Sequence, residues 1–158
     1  CCEEFEEYIP CQVTLTGIGK VEHLDNAGSV PVAPVGGVVS RQAYMLRIPL
    51  DFEYEKEIVE GTYYEYILTD TIANIQIISL TAYDESHPAG TDVNELFMDY
   101  PLRQEDQLTD YKYGYMYGTV FYKIPRTLPQ AGVHRFKVVV TTRKGEEFTK
   151  ETDEITMQ

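Results

Sequence analysis

The segment Ala43–Tyr54, AYMLRIPLDFEY, limits the fold more than any other part of the chain. Tyr44, Leu46, Ile48, Leu50, Phe52 and Tyr54 fall on one face of an extended backbone. Met45, Arg47, Pro49, Asp51 and Glu53 fall on the other. Side chains alternate across a strand, so this period of two means one buried face and one wetted face. Such a strand belongs in an antiparallel or mixed sheet, not in a parallel sheet covered on both sides. Pro49 brings no N–H to a ladder, which places it at an edge or a bulge.

Further strand patterns run over Gln12–Thr16, Lys20–Leu24, Ile72–Leu80, Tyr117–Ile124 and Val133–Thr142. Arg143–Glu146 reads as a tight turn around Gly145, with Glu147–Met157 as the hairpin partner of the preceding strand. Prolines and glycines in 25–40 make that stretch a long loop with room for a short edge strand. Residues 55–71 fit either a strand or a loop flanking a short helix, and Asp92–Met98 fits a short helix capped by Thr91 or Asp92. About seven strands and no long amphipathic helix give an all-β class, a two-sheet immunoglobulin-like sandwich with long loops. The Cys, Trp and Cys pattern of true immunoglobulin domains is missing. The length of 158 residues fits one domain, 11–158, preceded by an acidic tether over 1–10. Its expected core is Tyr44, Leu46, Ile48, Leu50, Ile75, Ile77, Phe136, Val138 and Val140.

Acidic residues outnumber basic ones, 26 to 13, for a net charge of -13. That balance argues against nucleic acid, whose phosphates need a basic footprint, and against docking on anionic lipid. It suits solubility, cations or basic partners. No apolar run reaches the length of a membrane-spanning helix. Tyrosine is abundant, 13 residues, and tryptophan is absent, which favours half-buried strand positions.

Cys1, Cys2 and Cys11 are the only cysteines. Three thiols within the first eleven residues are not a disulfide framework, although one pair can close and leave one over. They also make a poor zinc site, because no histidine lies near and a tetrahedral shell stays incomplete. A chain opening on Cys1-Cys2-Glu3-Glu4 without a start methionine is expected to have lost an upstream segment. A cysteine at a mature N-terminus is where bacteria attach lipid, so Cys1 or Cys2 is the expected lipidation site. The alternative is an arbitrary start.

No nucleophile elbow, phosphate loop or paired zinc motif occurs, and His23, His87 and His134 are far apart in sequence. The expectation is a protein that is not an enzyme. One loop offers Asp84, Glu85, Asp92 and Asn94, oxygen donors of the kind calcium takes. The favoured reading of the same residues is a turn-rich loop whose Asp and Asn side chains hold backbone amides. A second segment places Tyr111, Tyr113, Tyr115 and Tyr117 on one extended face, a surface for stacking on sugars or a partner chain. Any ligand site is therefore expected within 83–117.

The leading cysteine, the strand Ile72–Leu80 followed by His87-Pro88-Ala89-Gly90-Thr91-Asp92-Val93-Asn94-Glu95-Leu96-Phe97, and the closing hairpin together resemble uncharacterised secreted lipoproteins of Bacteroides-like bacteria. The resemblance implies an exported protein, periplasmic or attached to the outer membrane, lipidated at Cys1 or Cys2. It implies no catalytic residues. The expected role is a non-catalytic binding or accessory domain of the cell envelope with a protein or carbohydrate partner. A structural or adhesive surface subunit is the alternative, and an enzyme of unknown class the second.

Overall fold

The computed structural model describes residues 7–100 and 120–158. The described residues are all-β. In chain order the strands are β1 (Ile9–Ile18), β2 (Glu22–Asp25), β3 (Val38–Val39), β4 (Tyr44–Tyr54), β5 (Tyr64–Leu68), β6 (Ile72–Ser79), β7 (Phe97–Asp99), β8 (Val120–Pro125), β9 (Gly132–His134), β10 (Phe136–Thr142), β11 (Glu147–Glu151) and β12 (Ile155–Met157). Helical structure among them is confined to single 3-10 turns, at Val35–Gly37, Arg41–Ala43 and Asn94–Leu96. The helix expected over Asp92–Met98 is thus a 3-10 turn that runs into β7, and the undecided stretch 55–71 contains β5. β1 starts at Ile9, inside the stretch expected to be tether.

The large sheet has the order β5-β1-β4-β8-β7, with β2 also paired to β4. β4 is its central strand. β1 and then β2 run along one side of it, and β8 covers the other. Pro49 therefore does not mark an edge. It sits at a bulge: between the pairs Ile18–Leu50 and Glu22–Arg47, three residues (19–21) face two (48–49). Gly19 bridges the gap by donating its N–H to the Pro49 carbonyl at 2.8 Å. A second bulge lies within β1, between Leu15 and Gly17. Upstream of it odd-numbered residues face inward, with Cys11, Val13 and Leu15 buried; beyond it the buried residue is Ile18. The extra residue changes the parity and keeps Ile18 out of water. The curled sheet also includes a parallel pair, β1 with β5.

Two smaller sheets complete the fold, β11-β10-β6 and β3-β12-β9, the latter holding a parallel β3–β12 pair. The hairpin of β10 and β11 forms as expected around Gly145, whose φ of 92° suits glycine. The expected strand Val133–Thr142, however, breaks at Arg135, and its partner breaks at Thr152–Glu154. Each then continues in the other small sheet, where Ile155 pairs with His134. Buried Thr152 makes this double corner: its hydroxyl accepts the Phe136 N–H at 3.0 Å and donates to the Asp153 carbonyl at 2.9 Å.

One core joins all three sheets. Leu46, Ile48 and Leu50 of β4 share it with Ile77 of β6, Phe136, Val138 and Val140 of β10, and Ile155 and Met157 of β12. Of the expected core residues only Ile75 stays partly exposed, packed against its margin. Burying each large aliphatic side chain contributes roughly 1.5–3 kcal/mol.

Candidate binding groove

Opposed residues in an antiparallel pair point to the same face. Register therefore decides what joins Met45 and Arg47 on the outer face of β4. Leu24 of β2 pairs with Met45, while Glu22 of β2 and Tyr122 of β8 flank Arg47. Tyr100 extends that row by donating its N–H to the Tyr122 carbonyl at 2.8 Å. The loop after β2 folds back through the paired backbones of Asp25 and Val32, bringing Val30 and Pro31 alongside. Leu24, Val30, Pro31, Met45, Arg47, Tyr100 and Tyr122 wall an open groove of about 410 Å³. It is mainly apolar, yet Tyr100 is 42% and Val30 65% exposed. Arg47 is its one cation among the lining residues, with Glu22 at 3.9 Å as a loose ion-pair partner.

The loop that offers the calcium-type donors is held by its own side chains, as the turn reading expects. Asp84 Oδ1 accepts the Ser86 N–H at 2.9 Å and lies 2.7 Å from His87 Nδ1. The hydrogen bond from His87 is the main reason the Asp84 carboxyl is held below its ordinary pKa. Asp92 Oδ1 accepts the N–H groups of Ile77 at 3.2 Å and Asn94 at 3.0 Å, fastening the loop to β6. Glu85 is exposed, and Asn94 Oδ1 is buried without a hydrogen-bond partner among the described residues. Among those residues no three His, Cys, Asp or Glu side chains converge as a metal site. Tyr111, Tyr113, Tyr115 and Tyr117 lie outside the described residues, as do Cys1 and Cys2. Cys11 is described, and its free thiol is fully buried on the inner face of β1.

A family model described as a domain of unknown function, DUF5034, matches residues 18–153. The chain belongs to this family. No curated protein and no solved structure matches it. The DUF5034 span takes in every residue that lines the groove, and also the loop from Tyr83 to Asn94.

The histidines of this DUF5034 domain are tied into the fold. Buried His134 has Nε2 2.6 Å from the Gln130 carbonyl and stacks on Phe136 at 6.2 Å. His23 spans from the Tyr44 hydroxyl, 2.6 Å from Nδ1, to the Asp153 carbonyl, 2.7 Å from Nε2. His87 with Asp84 is an Asp–His pair of the kind that orients a general base. Among the described residues, however, no hydroxyl or thiol is within hydrogen-bond reach of its Nε2. Sequence reasoning placed Tyr100 in the expected site region and Met45 and Arg47 on the outer face. It missed Leu24, Pro31 and Tyr122, which carry no local signal for a shared surface.

Proposed function

We propose that this DUF5034 domain is a non-catalytic binding or accessory module of an exported envelope lipoprotein, anchored through Cys1 or Cys2. Its opposed sheets are taken as an immunoglobulin-like sandwich, a reading supported by the single core that the large sheet shares with β6 and β10. The observation that carries the binding role is the groove of Leu24, Met45, Arg47, Tyr100 and Tyr122. Apolar and aromatic walls with few polar groups are typical of ligand sites, and two tyrosine rings suit a sugar face or an apolar partner side chain. The rigid sheet positions the walls, and a loop supplies the rim.

Binding of a panel of neutral and acidic oligosaccharides and of unstructured peptides, measured by calorimetry, tests the role. A ligand taken by the unaltered domain is expected to lose at least about tenfold in affinity on Tyr122→Ala, the order of a 1–3 kcal/mol anchor. A ligand that binds Tyr122→Ala and Tyr100→Ala as well as the unaltered chain moves the site off the groove. Mass spectrometry of protein from native membranes tests the anchor, and an unmodified N-terminus overturns it.

A further inference from the structure

His23 is the place where the large sheet is tied to the corner between the small sheets. It belongs to β2, opposite Leu46 of β4. Its Nδ1 is 2.6 Å from the hydroxyl of Tyr44, a side chain sealed in the core, and its Nε2 is 2.7 Å from the carbonyl of Asp153. Asp153 follows Thr152, the residue that turns the chain from one small sheet into the other. These two contacts assign the proton. A carbonyl only accepts, so Nε2 carries the hydrogen and donates it. Nδ1 is then a bare acceptor for the Tyr44 O–H.

A second proton on the ring undoes this arrangement. Nδ1 becomes a donor, and the Tyr44 O–H loses its only acceptor among the described residues while staying in the core. A buried hydroxyl left unpaired is costly. We infer that His23 is an acid-sensitive latch: the neutral ring fastens β2 and β4 to the Asp153 corner, and protonation reverses its bond to Tyr44, strands the Tyr44 hydroxyl hydrogen in the core and weakens that seam.

The surroundings act in both directions. Burial is the largest influence and lowers the His23 pKa from 6.5; His134, on β9, lowers it further by charge, while the carbonyl and charge of Asp153 raise it. Glu22, Lys20 and Glu154 line the same cleft, of about 230 Å³, beside the ring. Burial also drives the Tyr44 hydroxyl well above its ordinary pKa, so it remains a proton donor throughout this range. Because the folded pKa lies below the unfolded one, the latch is whole above about pH 6.5. Its contribution is lost as pH falls toward and through the folded value.

Ring nitrogen chemical shifts and thermal unfolding between pH 7.5 and 5 test the latch. His23 is expected in the Nε2–H form at neutral pH, with a titration midpoint below 6.5. The unfolding midpoint of the unaltered chain should drop over this range more steeply than that of His23→Gln, whose neutral amide can serve both partners. Tyr44→Phe removes the hydroxyl that needs an acceptor, so His23 in that variant should titrate at higher pH than in the unaltered chain. An Nδ1–H ring, a midpoint at or above 6.5, or a His23→Gln slope equal to that of the unaltered chain overturns the proposal. If His23→Gln does not fold, the ring shifts in the unaltered chain and in Tyr44→Phe decide the matter alone.

Discussion

β4 and the segment Val133–Thr142 look alike in sequence and behave differently in the fold. β4 contains a proline and still runs unbroken from Tyr44 to Tyr54. Val133–Thr142 contains no proline or glycine, yet breaks at Arg135 and divides its residues between two sheets. The difference lies in the partners. At Pro49 the neighbouring chain takes up the irregularity, because Gly19–Val21 bulges out and the Gly19 N–H meets the Pro49 carbonyl. At Arg135 the neighbouring chain enforces the break. Thr152 inserts its hydroxyl at the Phe136 N–H, its own N–H bonds the Phe136 carbonyl at 2.8 Å, and the Arg135 guanidinium bonds the Thr152 carbonyl at 3.0 Å. A strand is therefore interrupted where its partner's hydrogen bonds require it, not where its own residues most resist extension.

The largest test of this contrast is Phe136→Ala. Phe136 stands at the corner and packs on Tyr44, Tyr83, Phe97 and His134. Truncating it should cost about 3–5 kcal/mol in denaturant unfolding. A loss below about 2 kcal/mol would mean that the corner is not part of the packed core. Next is Thr152→Val, which keeps the shape and leaves the Phe136 N–H without its side-chain acceptor. It should cost about 1–3 kcal/mol, with Thr152→Ser recovering most of it. A small loss for Val beside a large loss for Ser would show that the methyl group, not the hydroxyl, holds the corner.

Gly19→Ala probes the β4 side, with a smaller effect. An added Cβ would stand 3.1 Å from Pro49 Cγ, and the proline ring cannot swing away. A loss of about 1 kcal/mol is expected by the same unfolding measurement. No loss would show that the bulge has room to spare. The smallest effect belongs to Asp84→Asn, in a loop outside both strands. The Asp84 carboxyl is held below 3.8 chiefly by His87, so its contribution is present above that pH and lost as pH falls through the folded value. The variant should match the parent's unfolding midpoint at pH 3 more closely than at pH 7, and a gap that widens in acid would contradict the pairing.

Much of the groove was legible only in halves. Alternation along β4 is enough to put Met45 and Arg47 on its outer face. Which residues stand beside them depends on pairings reaching from β2 to β8, and nothing local to Leu24 or Tyr122 encodes that register. Asp84 and Asp92 were legible as turn-forming residues, because short-range bonds from Asp to the amide two residues on need no tertiary contact. His23 was opaque, since its partners Tyr44 and Asp153 lie 21 and 130 residues away.

By itself the sequence determined the all-β class, the inward face of β4, the hairpin turn at Gly145 and the part of the core that β4, β6 and β10 supply, because side-chain alternation and turn chemistry act over a few residues. The tertiary structure alone decided that β4 is central, that β1 lies parallel to β5, that two strands change sheets together at Thr152, and that His23 closes the seam. Each of these depends on which backbone groups meet across long loops, and a hydrogen bond between distant strands leaves no mark on the local pattern of either one.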